Sequence, residues 1–231
     1  MRTVGVVGGF TWRATLDYYR LINERVEERL GGRHSAQIVL WNVDFEQHLA
    51  LQDGGGWPAV AEEIGGIGAH LKRAGADFLV LTANTLHQVA DAVEAAVGLP
   101  VLHIADATAA AIHERGLGTV GLLGTRFTMT GDFWVGRMAG RHGIRVLVPP
   151  AEGIRTVDRV IYDELAAGRF TAPARRACLA ELERLLERGA EAVVLGCTEL
   201  QLLIRPEDTP AILFDTLALH ARAAADRALA D

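Results

Sequence analysis

Hydrophobic positions follow two different patterns along this chain. Short apolar runs rich in valine and leucine recur between longer stretches in which apolar residues lie three and four positions apart. Tyr18, Ile22 and Val26 show the second pattern, which is typical of a helix that buries one face. The short runs are apolar throughout, as in parallel strands that are covered on both sides. The alternation therefore predicts an α/β protein with parallel sheets.

The apolar runs predict four strands in each half of the chain. They are Thr3–Val7, Gln37–Trp41, Phe78–Leu81, Val101–Ile104, Thr119–Leu123, Arg145–Val148, Ala192–Leu195 and Ala211–Phe214. A last helix is predicted over Thr216–Ala230. These elements suggest that each half forms its own α/β unit.

The two halves also repeat each other in sequence. Residues 75–85 align with residues 189–199 without a gap, and each segment reads as a buried strand followed by a polar loop. We therefore predict an internal duplication with two pseudo-symmetric domains, 1–105 and 106–215, and with the terminal helix 216–231 returning to the first. Because parallel sheets bind ligands at the carboxyl ends of their strands, the active site is expected in a cleft between the domains.

Composition and charge exclude several classes of function. The 231 residues carry a net charge of −6, so a nucleic-acid partner is not expected. No apolar stretch reaches the roughly 20 residues of a membrane helix, and we expect a cytoplasmic protein that does not bind membranes. The histidines and glycines match neither a zinc motif nor a nucleotide-binding loop, so neither a metal nor a cofactor is predicted.

Cysteine is the residue with candidate chemistry. Cys197 directly follows a predicted strand, whereas the repeat places Ala83 at the matching position of the first half. A thiol beside a helix N-terminus is expected to have a lowered pKa and to serve as a base or nucleophile. The alternative is that Cys197 is a small buried residue that fills a strand end. Cys178 lies within a helical pattern and is expected in the core.

Several segments together resemble the aspartate/glutamate racemase superfamily, whose members are amino-acid racemases that need no cofactor. The matching segments span nearly the whole chain: Gly8-Gly9-Phe10-Thr11-Trp12, Asn84-Thr85-Leu86-His87, His103-Ile104-Ala105-Asp106, Leu123-Gly124-Thr125-Arg126-Phe127-Thr128-Met129 and Gly196-Cys197-Thr198-Glu199. The combination is specific, although each segment alone is a weak signal. The resemblance implies two facing α/β domains and proton transfer at the Cα of a small amino-acid substrate.

The resemblance also implies a role for each matching position. Cys197 corresponds to the cysteine that faces the Cα proton of the L-enantiomer in relatives. The second cysteine, which is threonine in some members, falls on Ala83, and alanine cannot transfer a proton. Thr82, Thr85 or a bound water are the candidates to act instead, although strand alternation points the Thr82 side chain away.

Substrate-binding residues follow from the same resemblance. Those that would hold or surround the amino acid are Phe10, Gln52, Ala83, Asn84, Thr85, Thr125, Thr128, Thr198 and Glu199. Alternatively, Asn84 forms a turn at a helix start, and Thr125 and Thr128 belong to an N-cap. Relatives strict for aspartate carry an arginine near position 52 and a lysine near position 166, so we expect aspartate or glutamate with looser selectivity. A homodimer is expected, because relatives are commonly dimers.

Three alternatives remain open at this stage. A single cysteine is also found in relatives that decarboxylate arylmalonates, where the thiol protonates an enolate. A catalytically silent amino-acid-binding protein would keep the same loops and tolerate Ala83. Alanine at position 83 is also what a substitution introduced to trap a complex would look like.

Overall fold

The computed structural model describes residues 1–230, apart from the side chains of residues 53–55. The last residue of the predicted segment 216–231 therefore lies outside the described residues. The chain divides into a first unit, residues 1–104 with the segment from Leu217 onward, and a second unit, Ala105–Thr216. The prediction of an α/β protein with two parallel sheets is confirmed.

The first unit contains a parallel sheet in the order β2-β1-β3. The strands are β1 (Val4–Gly8), β2 (Ile38–Asn42) and β3 (Phe78–Leu81). Its helices are α1 (Trp12–Leu30), α2 (Phe45–Arg73), α3 (Ala90–Val97) and the C-terminal α10 (Thr216–Leu229). A 3-10 helix, Thr85–Val89, follows β3 and leads into α3. Strands β1 and β3 are buried throughout, as their unbroken apolar runs predict.

The predicted strand Val101–Ile104 is wrong, and the first sheet has three strands instead of four. Val101 makes only an isolated parallel bridge to Leu79. The amide of Leu79 donates to the Pro100 carbonyl, and the amide of Leu102 donates to the Leu79 carbonyl. The ladder stops there because the chain turns into helix α4 at Ile104.

Helix α10 packs on the first sheet together with α1. Its alanines and Leu217 share a buried cluster with Tyr18 and Ile22 of α1 and with β1 and β3. At the surface, the Arg25 guanidinium donates to the Asp226 carboxylate over 3.0 and 3.2 Å. A chain segment that is distant in sequence therefore completes the core of the first unit.

The second unit contains a parallel sheet in the order β5-β4-β6-β7. The strands are β4 (Thr119–Gly124), β5 (Arg145–Leu147), β6 (Ala192–Gly196) and β7 (Leu213–Asp215). The helices are α4 (Ile104–Glu114), α5 (Arg126–Thr130), α6 (Val135–His142), α7 (Ala151–Arg159), α8 (Ala172–Glu187) and α9 (Leu200–Leu203), with a π-helical segment, Val160–Leu165, after α7. Among the described residues, no helix is both long and apolar enough to cross a membrane.

The register of β4 and β6 determines what lies at the carboxyl edge of the second sheet. Gly124 pairs with Gly196 at the end of the two strands. A Cβ on Gly124 would lie 2.8 Å from the Gly196 carbonyl oxygen, and one on Gly196 would lie 2.7 Å from the Leu122 side chain. Glycine is required at position 124, because the neighbouring strand approaches with its backbone. At position 196 the contact is with the end of a flexible side chain, so a larger residue would displace Leu122. Each strand then delivers its next polar residues to the same edge.

Candidate active site

The second unit places three of the predicted site residues in one short turn after β6. Cys197 is 8% exposed, and Thr198 and Glu199 are 3% and 6% exposed. The Cys197 thiol donates to Oε2 of Glu199 over 3.3 Å. The Thr198 hydroxyl donates to the same oxygen over 2.8 Å. The buried Glu199 carboxylate therefore accepts hydrogen bonds from two neighbouring side chains, one of which is the candidate catalytic thiol.

The thiol does not have the lowered pKa that the sequence predicts. Burial raises the pKa of Cys197 well above its ordinary value, and the negative charge of Glu199 raises it further. The backbone N–H of Glu199 acts in the predicted direction, because it donates to the sulfur, but its effect is smaller. Helix α9 has only four residues and begins at Leu200, so it offers little dipole to oppose the carboxylate. Burial and the Glu199 charge thus favour the protonated thiol over the thiolate.

Thr125 and Thr128 form a second polar pair at the edge of the same sheet. Thr125 is the N-cap of α5, and its hydroxyl oxygen accepts from the Thr128 amide over 3.2 Å. The two hydroxyl oxygens are 3.1 Å apart. The N-cap interpretation of Thr125 is therefore confirmed. A Cβ on Gly196 would lie 3.3 Å from the Thr128 side chain, so this pair adjoins the end of β6 that precedes Cys197.

The first unit brings its predicted residues to the ends of β1 and β3. Phe10 and Ala83 contribute to the same hydrophobic cluster, in which Phe10 is buried and Ala83 is partly buried. Asn84 is 3% exposed, and among the described residues its side chain makes no capping hydrogen bond to the 3-10 helix that begins at Thr85. Asn84 does stand at the helix start, where its backbone carbonyl accepts from the His87 amide over 3.1 Å, but its side chain takes no part in the cap. Thr85 is partly exposed.

Thr82 is fully buried, and its hydroxyl donates to the Val7 carbonyl over 3.1 Å. This hydrogen bond connects the end of β3 to β1, and it uses the proton of the Thr82 hydroxyl. Thr82 is thus a structural residue in this conformation, consistent with a side chain that points away from the strand-end loop. The prediction that the site residues of the first unit and those of the second unit face one cleft stays a prediction.

Sequence reasoning missed a cluster of buried histidines in the first unit. His87, His103 and His220 are 2%, 5% and 0% exposed. The ring centroids of His87 and His103 are 4.6 Å apart, and those of His87 and His220 are 5.5 Å apart. His87 lies in the 3-10 helix after β3, and its Nδ1 donates to the Ala83 carbonyl over 3.0 Å. The sequence feature that could have indicated this hydrogen bond is the spacing of four residues between Ala83 and His87.

Hydrogen bonds fix the proton positions on His220. Its Nε2 faces the Leu102 carbonyl at 2.8 Å and must donate, because a carbonyl oxygen only accepts. Its Nδ1 therefore accepts from the Tyr18 hydroxyl at 2.8 Å. Burial, reinforced by the nearby His87, lowers the pKa of His220 to about 3. The imidazole is neutral in the folded protein, and it couples α10 to α1.

Gln52 lies on α2 and is partly buried. One turn earlier on the same helix, Nδ1 of His48 is 2.6 Å from the Glu63 carboxylate, and the His48 ring packs edge to face on Phe10 at 4.7 Å. Arg126 of α5 is exposed and lies over the Phe127 ring. The His48 contacts were also missed, because their partners are separated in sequence.

Cys178 is fully buried in α8, as predicted. Burial raises its pKa to about 12, and the charges of Glu181 and Glu164 contribute. Such a thiol is inert at neutral pH. Within the described part of the chain, no group of three or more histidine, cysteine, aspartate or glutamate residues is arranged to hold a metal ion.

A family model described as Asp/Glu/Hydantoin racemase matches residues 7–224. The chain belongs to this racemase family. A candidate Asp/Glu racemase from Yersinia pestis has a similar structure, with 44% identity over 100% of both chains and a TM-score of 0.92. An aspartate racemase homologue from Pyrococcus horikoshii is 32% identical over 100% of both chains, with a TM-score of 0.83.

An aspartate racemase from Picrophilus torridus is 21% identical, with 99% of this chain and 94% of that chain covered and a TM-score of 0.75. At that identity the likeness concerns the fold alone. The fold and the family are those of a racemase, which is an isomerase.

Proposed function

We propose that this protein is an amino-acid racemase that needs no cofactor and that Cys197 transfers the Cα proton of aspartate or glutamate. The observation that carries the proposal is the buried thiol at the end of β6 with the Glu199 carboxylate 3.3 Å away. Membership of the racemase family supports the reaction class. A thiol paired with a proton acceptor is the arrangement that acid–base catalysis at carbon requires.

The protonation state of the free protein suggests how the cycle begins. Once a substrate is bound, the thiol proton moves to Oε2 of Glu199, which leaves a thiolate and a neutral carboxylic acid. The thiolate then takes the proton from Cα, and the electron pair of that C–H bond delocalises into the substrate carboxylate. The α-ammonium group of an amino acid brings a positive charge that lowers the pKa of a nearby thiol. Substrate binding thus opposes the effect of Glu199.

Return of a proton to the opposite side needs a donor from the first unit. Ala83 has no proton to give, and the hydroxyl of Thr82 is bonded to the Val7 carbonyl. Thr85, which is partly exposed, or a water held in the space that a larger side chain at position 83 would fill is the donor in our proposal. Neither is a strong acid, so we expect slow inversion.

We further propose that recognition of the substrate is divided among polar loops. Asn84 and Thr85 of the first unit and Thr198 of the second hold the α-carboxylate and the ammonium group. Phe10, Gln52 and the Thr125–Thr128 pair surround the side chain. Gln52 recognises a distal carboxylate through a neutral amide, which is a weaker interaction than a charge-assisted pair. The predicted selectivity is therefore for aspartate or glutamate, with tolerance for related amino acids.

The test is exchange of the Cα proton in heavy water, with both enantiomers of a panel of amino acids. We expect deuterium to enter aspartate or glutamate with the unaltered chain and with Cys178→Ala, and we expect Cys197→Ala to abolish it. A panel that shows no Cys197-dependent exchange overturns the proposal. Release of carbon dioxide from disubstituted malonates without exchange would instead identify the one-sided decarboxylase, and tight binding without turnover would identify a silent binding protein.

We also propose that the protein forms a homodimer through an apolar surface of the first unit. Four large apolar side chains there are 44–57% exposed: Trp12, Leu16 and Tyr19 on α1, and Leu40 on β2. The α1 residues lie on one side of that helix, and β2 is an edge strand. We expect Leu16→Glu to give a monomer in sedimentation velocity, while Leu202→Glu, at a comparably exposed site of the second unit, leaves the dimer intact. A monomeric parent chain refutes this proposal.

A further inference from the structure

Helix α2 is two helical arms joined at one glycine. Gly56 has φ 64° and ψ −164°, which interrupts the helix within Phe45–Arg73. Asp44 caps the first arm, because its carboxylate accepts from the amides of Glu46 and Gln47 over 3.1 and 3.3 Å. Pro58 stands in the first turn of the second arm, where a proline is tolerated. Helical hydrogen bonds do not run continuously through the bend, so side-chain contacts must set the position of the first arm.

A partly buried hydrogen bond connects the two arms across this bend. His48 of the first arm is 2% exposed, and its Nδ1 is 2.6 Å from Oε2 of Glu63 on the second arm. A carboxylate only accepts, so Nδ1 carries the proton and donates it. A hydrogen bond to a carboxylate is among the stronger side-chain interactions. The pair therefore acts as a clasp, by which we mean the His48–Glu63 contact that holds the first arm against the second.

The clasp lies beside two residues that the proposed function assigns to the substrate side chain. The Phe10 ring is 4.7 Å from the His48 ring, at an interplanar angle of 77°. Gln52 follows His48 by four residues, which places both on the same side of the first arm. The His48 imidazole therefore contacts the Phe10 ring directly. It also belongs to the helical arm that carries Gln52 one turn further on.

We propose that His48 is a positioning residue, which holds Gln52 and Phe10 in place to bind the distal carboxylate of an acidic amino acid. The inference rests on the proposed function, which supplies the substrate. It adds a residue that stands in no motif and touches the substrate only through its neighbours. Because the chain lacks a cation at position 52, the placement of a neutral amide determines the affinity for a distal carboxylate.

The test compares His48→Leu, which removes the donor, with His48→Asn, whose amide replaces Nδ1–H. Calorimetry on the full chain measures binding of aspartate, glutamate and alanine, which lacks the distal carboxylate. For His48→Leu we expect about tenfold weaker binding of the acidic amino acids, a change of about 1.4 kcal/mol, with alanine unaffected. His48→Asn should bind like the parent. His34→Leu, a change at an exposed histidine of the same unit, is the matched control.

Two further measurements separate positioning from a merely structural role. In the Gln52→Ala background, His48→Leu should add little, because both substitutions act on one interaction. Amide hydrogen exchange of His48→Leu should accelerate in the first arm and stay unchanged in β1 and β3. Equal loss of affinity for all three ligands, or exchange that accelerates throughout the unit, overturns the positioning role.

The outcome also distinguishes this inference from the proposed function. If the parent shows Cys197-dependent exchange and His48→Leu binds acidic substrates equally well, only the positioning role of His48 is overturned. If the parent neither binds nor exchanges any amino acid of the panel, the proposed function fails and the positioning role fails with it. In that case a loosened first arm would establish the clasp as structural alone.

Discussion

The buried His220 makes the stability of the first unit depend on pH in a way that can be calculated. Its pKa is about 3 in the folded protein, because of burial and the neighbouring His87. In an unfolded chain it is about 6.5. Between these values the unfolded state binds more protons than the folded state, so the free energy of unfolding falls as the pH falls. Above about pH 6.5 the contribution is complete and does not change with pH.

The size of the effect follows from the two values. Each pH unit within this window costs about 1.4 kcal/mol, so lowering the pH from about 6.5 to about 4.5 removes roughly 2.7 kcal/mol. The perturbation that isolates it is His220→Gln, whose amide retains a donor for the Leu102 carbonyl but does not titrate. At alkaline pH this variant should lose about 1–3 kcal/mol, because the Tyr18 hydroxyl loses its acceptor. Its curve should then be flatter toward acid than that of the parent.

Urea unfolding, followed by circular dichroism from about pH 8 to about pH 4.5, measures both curves. The matched control is Tyr18→Phe, which removes the same hydrogen bond but keeps the imidazole. It should lose stability at every pH and keep the slope of the parent. His87, His103 and the remaining histidines are common to all three proteins, so the difference between curves reports His220. Parallel curves for the parent and His220→Gln would refute the reasoning.

Two further predictions concern the thiol and its missing counterpart. In a Cys178→Ala background, Glu199→Gln should make Cys197 react with iodoacetamide roughly tenfold faster or more at neutral pH, because removing a like charge lowers the pKa of the thiol; an unchanged rate contradicts the role given to Glu199. Ala83→Thr should raise the rate of inversion by at least about tenfold, since a positioned general acid typically contributes about 10²–10⁴. Ala83→Val has nearly the same shape without the hydroxyl, and equal rates for the two variants would show that the hydroxyl supplies no proton.

Much of the fold could be predicted from periodicity, because burial on both faces leaves an unbroken apolar run. Phe78–Leu81 is predicted and observed with the same bounds. The pattern failed at Val101, where the apolar residues belong to a single bridge and to the start of α4. Apolar character reports burial, and it does not distinguish a short connection from a strand. The predicted return of the last helix to the first unit is observed, but the contacts that hold it there, such as Tyr18 with His220, are contained in no local pattern.

In the candidate site, too, contacts between neighbours in sequence could be predicted, whereas contacts between residues far apart in sequence could not. The turn with Cys197 and Glu199 is contiguous, so the sequence could place these groups together. The pKa of Cys197 could not be predicted from the helix that follows the turn. Burial of the thiol and the position of the Glu199 carboxylate beside it determine that pKa, and neither can be read from the sequence. Contacts over longer separations, such as His48 with Glu63 across the bend of α2, depend on the backbone path and became visible only in the structure.

The carboxylate beside Cys197 has a consequence for the durability of the protein. Peroxides and electrophiles react with the thiolate and hardly with the thiol. Because burial and the charge of Glu199 raise the pKa of Cys197, we expect the thiol to resist oxidation for as long as no cation binds nearby. The contact with Glu199 that makes Cys197 a weak base in the free protein thus also slows its oxidation. The ammonium group of the proposed substrate would remove this protection only while the substrate is bound.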